Sequence, residues 1–455
     1  MQSIRNLILN NIISVIGLGK LGLPLACCLA DASFDTIGAD ISEDVVQAIA
    51  CEKVPANIYE NGLQELLVKS IQSKKLRVTT TVEWAVELSN VIFVIVPTPS
   101  LANDKFDMKY IEMACKSIGK VLAKCNDYKV VDIVSTILPG DMQKSVIDIL
   151  EKVSGKRLNE NFGVCYNPEF IALGNVINGI TKPDFVMIGA SDDKAGEAIK
   201  EVYAKLLKNS APIIITTIAN AELAKISLNV FVTMKIAYAE MLAEMCEKIP
   251  GCDVDTITKL VGMDSRIGPK YMQAGLPYGG PCFPRDNKAF SAVANDLYGL
   301  SSPGILSRAT DAANTSHAWV IKDKIYDILE GITGKTISFL GITYKPDTNV
   351  LECSGSLYVA NLLLDNGAIV KVYDPSNYDP KLLDKRLIIC SSIEECLKDS
   401  DLAIIATQWE QFKKLVISDF KSMRTKNILD CWRLYNPKYF ELVGFKYYCI
   451  GRYGS

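Results

Sequence analysis

The segment Gly279-Gly280-Pro281-Cys282-Phe283-Pro284-Arg285-Asp286 sets a thiol behind a glycine-paired turn and a carboxylate four residues further on. A helix starting near Pro284 would aim its first N–H groups at the sulfur, stabilising a thiolate and any oxyanion formed on a carbonyl bound to it. Cysteine is also a common buried apolar residue, and the chain has 14 of them, so Cys282 needs partners before it reads as a nucleophile. Candidate partners stand elsewhere. Glu222, Lys225 and Asn229 fall at i, i+3 and i+7, on one face of a helix, with Ile226 and Phe231 close by. A semi-buried lysine there can stabilise an oxyanion or relay a proton. The plain alternative is a surface pair of Glu222 with Lys225. Glu169, in Tyr166-Asn167-Pro168-Glu169-Phe170, is a candidate base or substrate ligand.

The chain has a single histidine, His317, which excludes a His-based metal cage and leaves acid–base work to Lys, Glu, Asp or water. His317 itself reads as an ordinary helix residue. The cysteines are scattered with no CxxC pair, so neither a disulfide scaffold nor a zinc site is expected, and reduced thiols fit a cytoplasmic protein. With 49% hydrophobic and 22% charged residues and a net charge of −3, nothing electrostatic points to nucleic acid. The apolar stretch from Ile12 to Ala30 is broken by Gly17, Gly19, Lys20, Gly22 and Pro24. It therefore reads as strand, turn and helix and not as a membrane span.

These residues must be held by a frame, and the first half of the chain describes one. Short apolar runs alternate with helical patterns, which predicts an α/β domain built on a parallel sheet with helices on both faces. Val15-Ile16-Gly17-Leu18-Gly19-Lys20-Leu21-Gly22 follows a strand and opens a helix. In such a G-x-G-x-x-G the first glycine turns the chain, the second admits a pyrophosphate, and the third lets helix and strand pack. Asp40, about twenty residues on at the end of the second strand, can accept ribose hydroxyls and selects NAD over NADP. Pro97-Thr98-Pro99 and Thr136 end the fourth and fifth strands, where an open parallel sheet places its ligand crevice. Thr98 could touch the cofactor there, and Thr136 its nicotinamide end.

The rhythm changes near Ile215. From Ala219 to Ile249 there is neither Gly nor Pro, which predicts one long helix, followed by helices around Val254 to Val261 and Asp286 to Tyr298. A second α/β rhythm starts at Lys335 and repeats the first topology. Here Gly341-Ile342-Thr343-Tyr344-Lys345-Pro346 replaces the glycine fingerprint, so a second dinucleotide site is not expected. Lys345, Arg433 and Arg266 offer phosphate-binding charge, and Tyr344 and Tyr278 offer flat faces for a base. The expected domains are 1–210, dinucleotide-binding; 211–330, helical and bearing Cys282; and 331–455, a second Rossmann-like domain.

In this order the motifs resemble the UDP-glucose/GDP-mannose dehydrogenase family: the glycine fingerprint with Leu23-Pro24-Leu25-Ala26, Val96-Pro97-Thr98-Pro99, Asn167-Pro168-Glu169-Phe170, the Glu222-Leu223-x-Lys225 helix with Asn229, Asp264-Ser265-Arg266-Ile267-Gly268, the Cys282 block, and Tyr344-Lys345-Pro346-Asp347-Thr348. The resemblance implies a helical middle that mediates dimerisation and a C-terminal domain that holds a UDP-sugar. It also implies NAD-dependent oxidation of the sugar's primary alcohol to a carboxylate, with Cys282 carrying a thiohemiacetal and then a thioester. By the same resemblance Lys225 and Asn229 hold the oxyanion, and Asp286, Thr136 and Glu169 position or deprotonate water. NAD is held by Gly17 to Gly22 (Leu18, Gly19, Lys20 and Leu21 between them), Asp40, Pro97, Thr98, Pro99 and Thr136. The nucleotide sugar is held by Glu169, Phe170, Ile171, Lys225, Asn229, Arg266, Tyr271, Tyr278, Gly279, Tyr344, Lys345 and Arg433.

Leu173, Arg285 and Leu351 depart from the family pattern, the first and third near expected cofactor contacts. Pro281 before the thiol points to the UDP-glucose branch, with UDP-N-acetylhexosamine or GDP-mannose as the alternative substrates. Further alternatives are a two-electron dehydrogenase that needs no thiol, and a non-catalytic nucleotide-sugar-binding protein, which would have no reason to keep Lys225, Asn229, Cys282 and Asp286 together.

Overall fold

In the computed structural model, residues 12–171 and 173–454 are described, and they fall into two compact units that divide between Ser227 and Leu228. The first unit is a sheet of eight strands: β1 (Ile12–Ile16), β2 (Asp35–Ala39), β3 (Leu76–Thr79), β4 (Val91–Val94), β5 (Lys129–Ile133), β6 (Phe162–Tyr166), β7 (Val186–Ala190) and β8 (Ile213–Thr217). Their order is β3-β2-β1-β4-β5-β6-β7-β8, so the winding reverses between β1 and β4. A crevice opens beyond the carboxyl ends of strands at such a reversal. One expectation fails here: β7 runs antiparallel to β6, pairing Cys165 with Ala190 and Tyr166 with Gly189, and so the sheet is not wholly parallel. Strands buried on both faces are apolar throughout, and direction leaves no mark on such a run.

Helix α1 (Gly22–Asp31) is buried along its whole length up to Ala30, which is why its sequence is apolar all round. Separate apolar layers cover the two faces of the sheet, one containing Leu23, Leu25 and Leu29 of α1, the other Ile111, Ile118 and Val146.

Helix α2 (Ile218–Lys248) runs 31 residues and ends before Pro250-Gly251. It is long and apolar enough to cross a membrane by length and composition, but half of its most apolar stretch is buried within the protein. Buried Glu222, Lys225, Asn229 and Glu240 lie along it. It is a core helix.

The second unit continues with α3 (Val254–Met263), α4 (Phe283–Asp296) and α5 (Ser301–Leu329). The apolar pattern did not delimit α5, whose first turn carries Pro303 and Gly304, tolerated there because the first N–H groups of a helix have no intrahelical acceptor. A six-stranded, wholly parallel sheet follows, of β9 (Thr336–Leu340), β10 (Ile369–Tyr373), β11 (Ile388–Ile389), β12 (Leu402–Ile405), β13 (Asn427–Asp430) and β14 (Lys446–Cys449), with helix α6 (Gly355–Asp365) after β9. Its order, β11-β10-β9-β12-β13-β14, repeats that of the first six strands.

Candidate functional site

In the first unit the glycine turn has the steric character its sequence requires. Gly17 sits at φ +94°, and a Cβ there would lie 2.1 Å from the carbonyl oxygen of Ile95; one on Gly22 would lie 1.9 Å from that of Gly17. A Cβ on Gly19 would meet nothing within 4 Å. The middle glycine thus faces open space at the reversal of the sheet, where a pyrophosphate would need backbone access. Leu18 is buried beneath this turn, and Lys20 and Leu21 are half-buried. Asp40 closes it, accepting from the N–H of Leu18 at 2.8 Å and of Ser42 at 2.9 Å. A dinucleotide fits these residues.

The loops after β4 and β5 are stitched together. Ser135 Oγ accepts from Val96 N–H and donates to its carbonyl, and Thr98 Oγ1 donates to the carbonyl of Thr136 at 2.8 Å. Thr98 is therefore buried between Pro97 and Pro99, which are exposed, and Thr136 is half-buried.

Glu222 and Lys225 are 4% and 6% exposed, which excludes a surface pair. Glu222 takes the N–H groups of Gly140 (3.0 Å) and Met142 (2.9 Å), anchoring the loop after β5. Lys225 Nζ donates to the main-chain carbonyl of Glu169 at 2.5 Å and stands 4.7 Å from the centre of the Phe170 ring. The Glu169 carboxylate accepts from Tyr203 Oη at 2.8 Å. Burial pushes its pKa up to about 7, against the opposing pull of Tyr203 and Lys225. Ile171 packs its side chain against Gly179.

In the second unit Cys282 occupies the N-cap position of α4 and is exposed. The helix starts three residues earlier than the pattern suggested, so the sulfur lies directly at its positive end. Gly280, at φ +86°, packs so tightly that a Cβ would lie 2.6 Å from the Tyr344 ring. Asp286, one turn into α4, is fully buried, receiving Asn229 Nδ2 at 2.6 Å and Arg285 Nε at 3.1 Å. Two groups expected to act together are thus bonded to each other.

Beside them is a cavity of about 420 Å³ lined by Tyr271, Tyr278, Gly279, Phe283, Tyr344 and Lys345, among others. Phe283 stands edge-on to both Tyr271 and Tyr278, with ring centres 6.4 Å apart in each case. Tyr271 has φ 64°, a conformation strained for a bulky residue and one that clusters at functional sites. A larger cleft of about 800 Å³, with Met241, Met245, Val320 and Ile328 in its walls, contains none of the expected residues.

Two arginines depart from expectation. The side chain of Arg433 is 1% exposed, its guanidinium donating to Asp255 and to the carbonyls of Cys431, Ile450 and Ala274. It braces the cavity wall from behind and has no face left for a phosphate. Arg266 is 85% exposed, paired with Asp264 at 2.7 Å, and is not among the cavity-lining residues. Sequence reasoning also missed a buried network: Asn287 Nδ2 donates to Tyr278 Oη and Asp311, Tyr278 Oη donates to Asp311, and Thr233 Oγ1 donates to Asn287 Oδ1. The only sign available was Asn287 directly after Asp286.

Comparison with known proteins adds an independent line. Residues 11–207, 219–315 and 338–437 match, in turn, the NAD binding domain, the central domain and the UDP binding domain of the UDP-glucose/GDP-mannose dehydrogenase family. The chain is 31% identical to the UDP-glucose 6-dehydrogenase TuaD of Bacillus subtilis, over 97% of this chain and 93% of that one. It is 33% identical to the UDP-glucose 6-dehydrogenase of Rhizobium meliloti, over 97% and 99%. Among solved structures, a UDP-glucose dehydrogenase from Pyrobaculum islandicum superposes with a TM-score of 0.87 at 29% identity, covering 97% of this chain and 98% of that one. A UDP-D-ManNAc dehydrogenase from Pyrococcus horikoshii gives 0.83 at 27% identity, covering 97% and 99%.

Proposed function

Because the chain belongs to the UDP-glucose/GDP-mannose dehydrogenase family, we propose that it oxidises the C6 primary alcohol of UDP-glucose to the carboxylate of UDP-glucuronate by way of a thioester on Cys282. The observation that carries the reading is the exposed thiol at the first turn of α4, beside a cavity walled by Tyr271, Tyr278, Phe283, Tyr344 and Lys345. NAD, held by the turn at Gly17, Gly19 and Gly22 and by Asp40, supplies the hydride acceptor when bound. The chain's own residues do the rest. Cys282 adds to the C6 aldehyde, the N-terminal end of α4 favouring its thiolate. Asn229 and Lys225 stabilise the oxyanion of the resulting thiohemiacetal. Water then cleaves the thioester, oriented by Asp286 and Thr136, with Glu169 taking its proton; a carboxyl titrating near 7 suits a base at neutral pH. Each sugar thus gives up four electrons, two at the alcohol and two at the thiohemiacetal.

UDP-glucose is favoured as substrate by Pro281 and by the relatives that carry its name. A UDP-N-acetylhexosamine is the second reading, favoured by the likeness to a UDP-D-ManNAc dehydrogenase. A homodimer is part of the proposal, supported by the exposed Phe231, Tyr238, Met241 and Met245 on α2. The test is to supply NAD with a panel of nucleotide sugars and count NADH formed per sugar consumed. Two per UDP-glucose is expected; one per sugar, or turnover of no sugar, refutes the reading.

A further inference from the structure

His317 is not the ordinary helix residue its sequence suggested. It is 2% exposed on α5, its Nδ1 2.7 Å from Glu244 Oε1 and its Nε2 2.9 Å from the carbonyl oxygen of Gly275. Both partners are acceptors. A neutral imidazole has one N–H, so one of these contacts would set lone pair against lone pair; only the imidazolium satisfies both. A second acid, Glu240 on α2, is buried nearby, and neither of its carboxyl oxygens has a hydrogen-bond partner among the described residues.

Gly275 belongs to a strap, residues 272–279, that forms much of the cavity wall. The strap is held by one face of α5. Asp311 accepts from Tyr278 Oη at 2.6 Å, Asn314 exchanges hydrogen bonds with the N–H and carbonyl of Tyr278, and His317, one further step along the same face, holds Gly275. Its other edge is held by Arg433 on the carbonyl of Ala274 and by Trp432, whose ring would lie 2.2 Å from a Cβ on Gly275. Among these fasteners only His317 can lose a proton near neutral pH.

We propose that His317 is a positioning residue for the nucleotide-sugar cavity: as an imidazolium it ties the strap at Gly275 to Glu244, and substrate binding weakens when the ring loses its proton. The inference rests on reading that cavity as the UDP-sugar site. On deprotonation the carboxylate, the stronger acceptor, keeps the remaining proton on Nδ1, and the Gly275 carbonyl is left facing a lone pair. The titratable groups around the ring are Glu240 and Glu244 from α2, Tyr278 from the strap and Asp311 from α5. Burial alone would lower the imidazole's pKa, but its bonds to Glu244 and Gly275 and the charge of Glu240 outweigh that and raise it. Burial also pushes Glu240 up to about 8 against the pull of the His317 cation, so that its charge adds to the hold of Glu244 only toward the upper part of this range, and Tyr278 is raised far beyond the range by burial and by Asp311.

As the chain's only histidine, His317 can be followed alone in full-length protein labelled with 15N-histidine and carrying no histidine tag. Two protonated ring nitrogens at pH 7, and a neutral Nδ1–H tautomer at higher pH, are expected. A neutral ring at pH 7, or an Nε2–H tautomer above the transition, overturns the proposal. In parallel, the dissociation constant of UDP is measured by calorimetry from pH 6 to 9.5 in wild type and in His317→Gln. Wild-type affinity should fall about three- to tenfold through the ring's titration, the worth of one hydrogen bond, and the variant should bind weakly at every pH. UDP affinity that ignores the titrating ring refutes the coupling alone. Absence of UDP binding at any pH refutes the reading of the cavity, and this inference with it. Should the variant fail to fold, the wild-type ring and binding titrations decide.

Discussion

Replacing Glu169 with Gln tests the environment of the proposed base through stability, measured with no substrate present. The carboxyl titrates at about 7 in the folded chain against an ordinary value of 4.5, with burial as the leading cause. Below pH 4.5 both folded and unfolded chains hold the proton and the shift contributes nothing. Between 4.5 and 7 the unfolded chain has released it and the folded chain has not, so stability falls as pH rises, reaching its full cost above 7. A rise of about 2.5 in pKa at roughly 1.4 kcal/mol each gives about 3 kcal/mol, of which about 2 kcal/mol develops between pH 5.5 and 8.5. Gln carries none of this penalty, and its carbonyl can still accept from Tyr203 Oη. The variant should therefore gain on wild type by about 4–8 °C in apparent Tm across that window for a unit of this size. Taking the difference between the two proteins at each pH cancels every titration they share. A Tm difference that stays constant from pH 5.5 to 8.5 would refute the buried, raised carboxyl. The same pair of proteins reports on chemistry: the wild-type kcat profile should show a limb near pH 7 that the variant lacks.

Cys282→Ser should abolish steady turnover while leaving NAD and UDP affinity within about twofold; sustained formation of two NADH per sugar by that variant rules out the covalent route. Gly19→Val should keep the wild-type Tm, since its side chain enters open space, yet weaken NAD at least about 100-fold by filling the pyrophosphate approach; calorimetry with NAD checks it, and unchanged affinity moves the cofactor elsewhere. Arg433→Met should cost about 1–3 kcal/mol in unfolding free energy by stranding the buried carbonyls of Cys431, Ile450 and Ala274, and should raise the KM for UDP-glucose while leaving that for NAD unchanged. Wild-type stability in that variant would show that the guanidinium is dispensable as a brace.

What was legible in the sequence was whatever backbone geometry dictates. The first and third fingerprint glycines are demanded by atoms 2.1 and 1.9 Å away, and no other residue fits, so their spacing survives as a readable pattern. The run from Ala219 to Ile249 reads as a helix because it holds neither Gly nor Pro. The direction of β7 was not legible, because a buried strand is equally apolar whichever way it runs. Nor were the tasks of the charged residues. Glu222 and Lys225 look like a pair one turn apart, but their partners are loop amides and a carbonyl tens of residues away. Arg433 looks like a phosphate ligand in a family setting, and only the fold reveals that Asp255, 178 residues distant, has already claimed it. Side-chain roles of this kind depend on tertiary neighbours, which local pattern does not encode.

The two sheets share a strand order, and the comparison extends to their first turns. Gly17 and Gly341 both adopt positive φ, at 94° and 99°, and each donates its N–H to the last residue of the neighbouring strand, Ala39 or Tyr373. The next N–H in each case, Leu18 or Ile342, goes to an acid at that strand's end, Asp40 or Asp374, at 2.8 Å. The divergence is one residue later. Gly19 faces open space, whereas Thr343 is buried and donates its hydroxyl to Asp374, filling the corresponding position. The same turn that leaves its backbone open to a pyrophosphate in the first sheet is thereby closed in the second. What the second turn presents instead is Tyr344 and Lys345, both in the cavity wall with the strap. The two turns thus share one backbone device and differ in the side chain at its middle position.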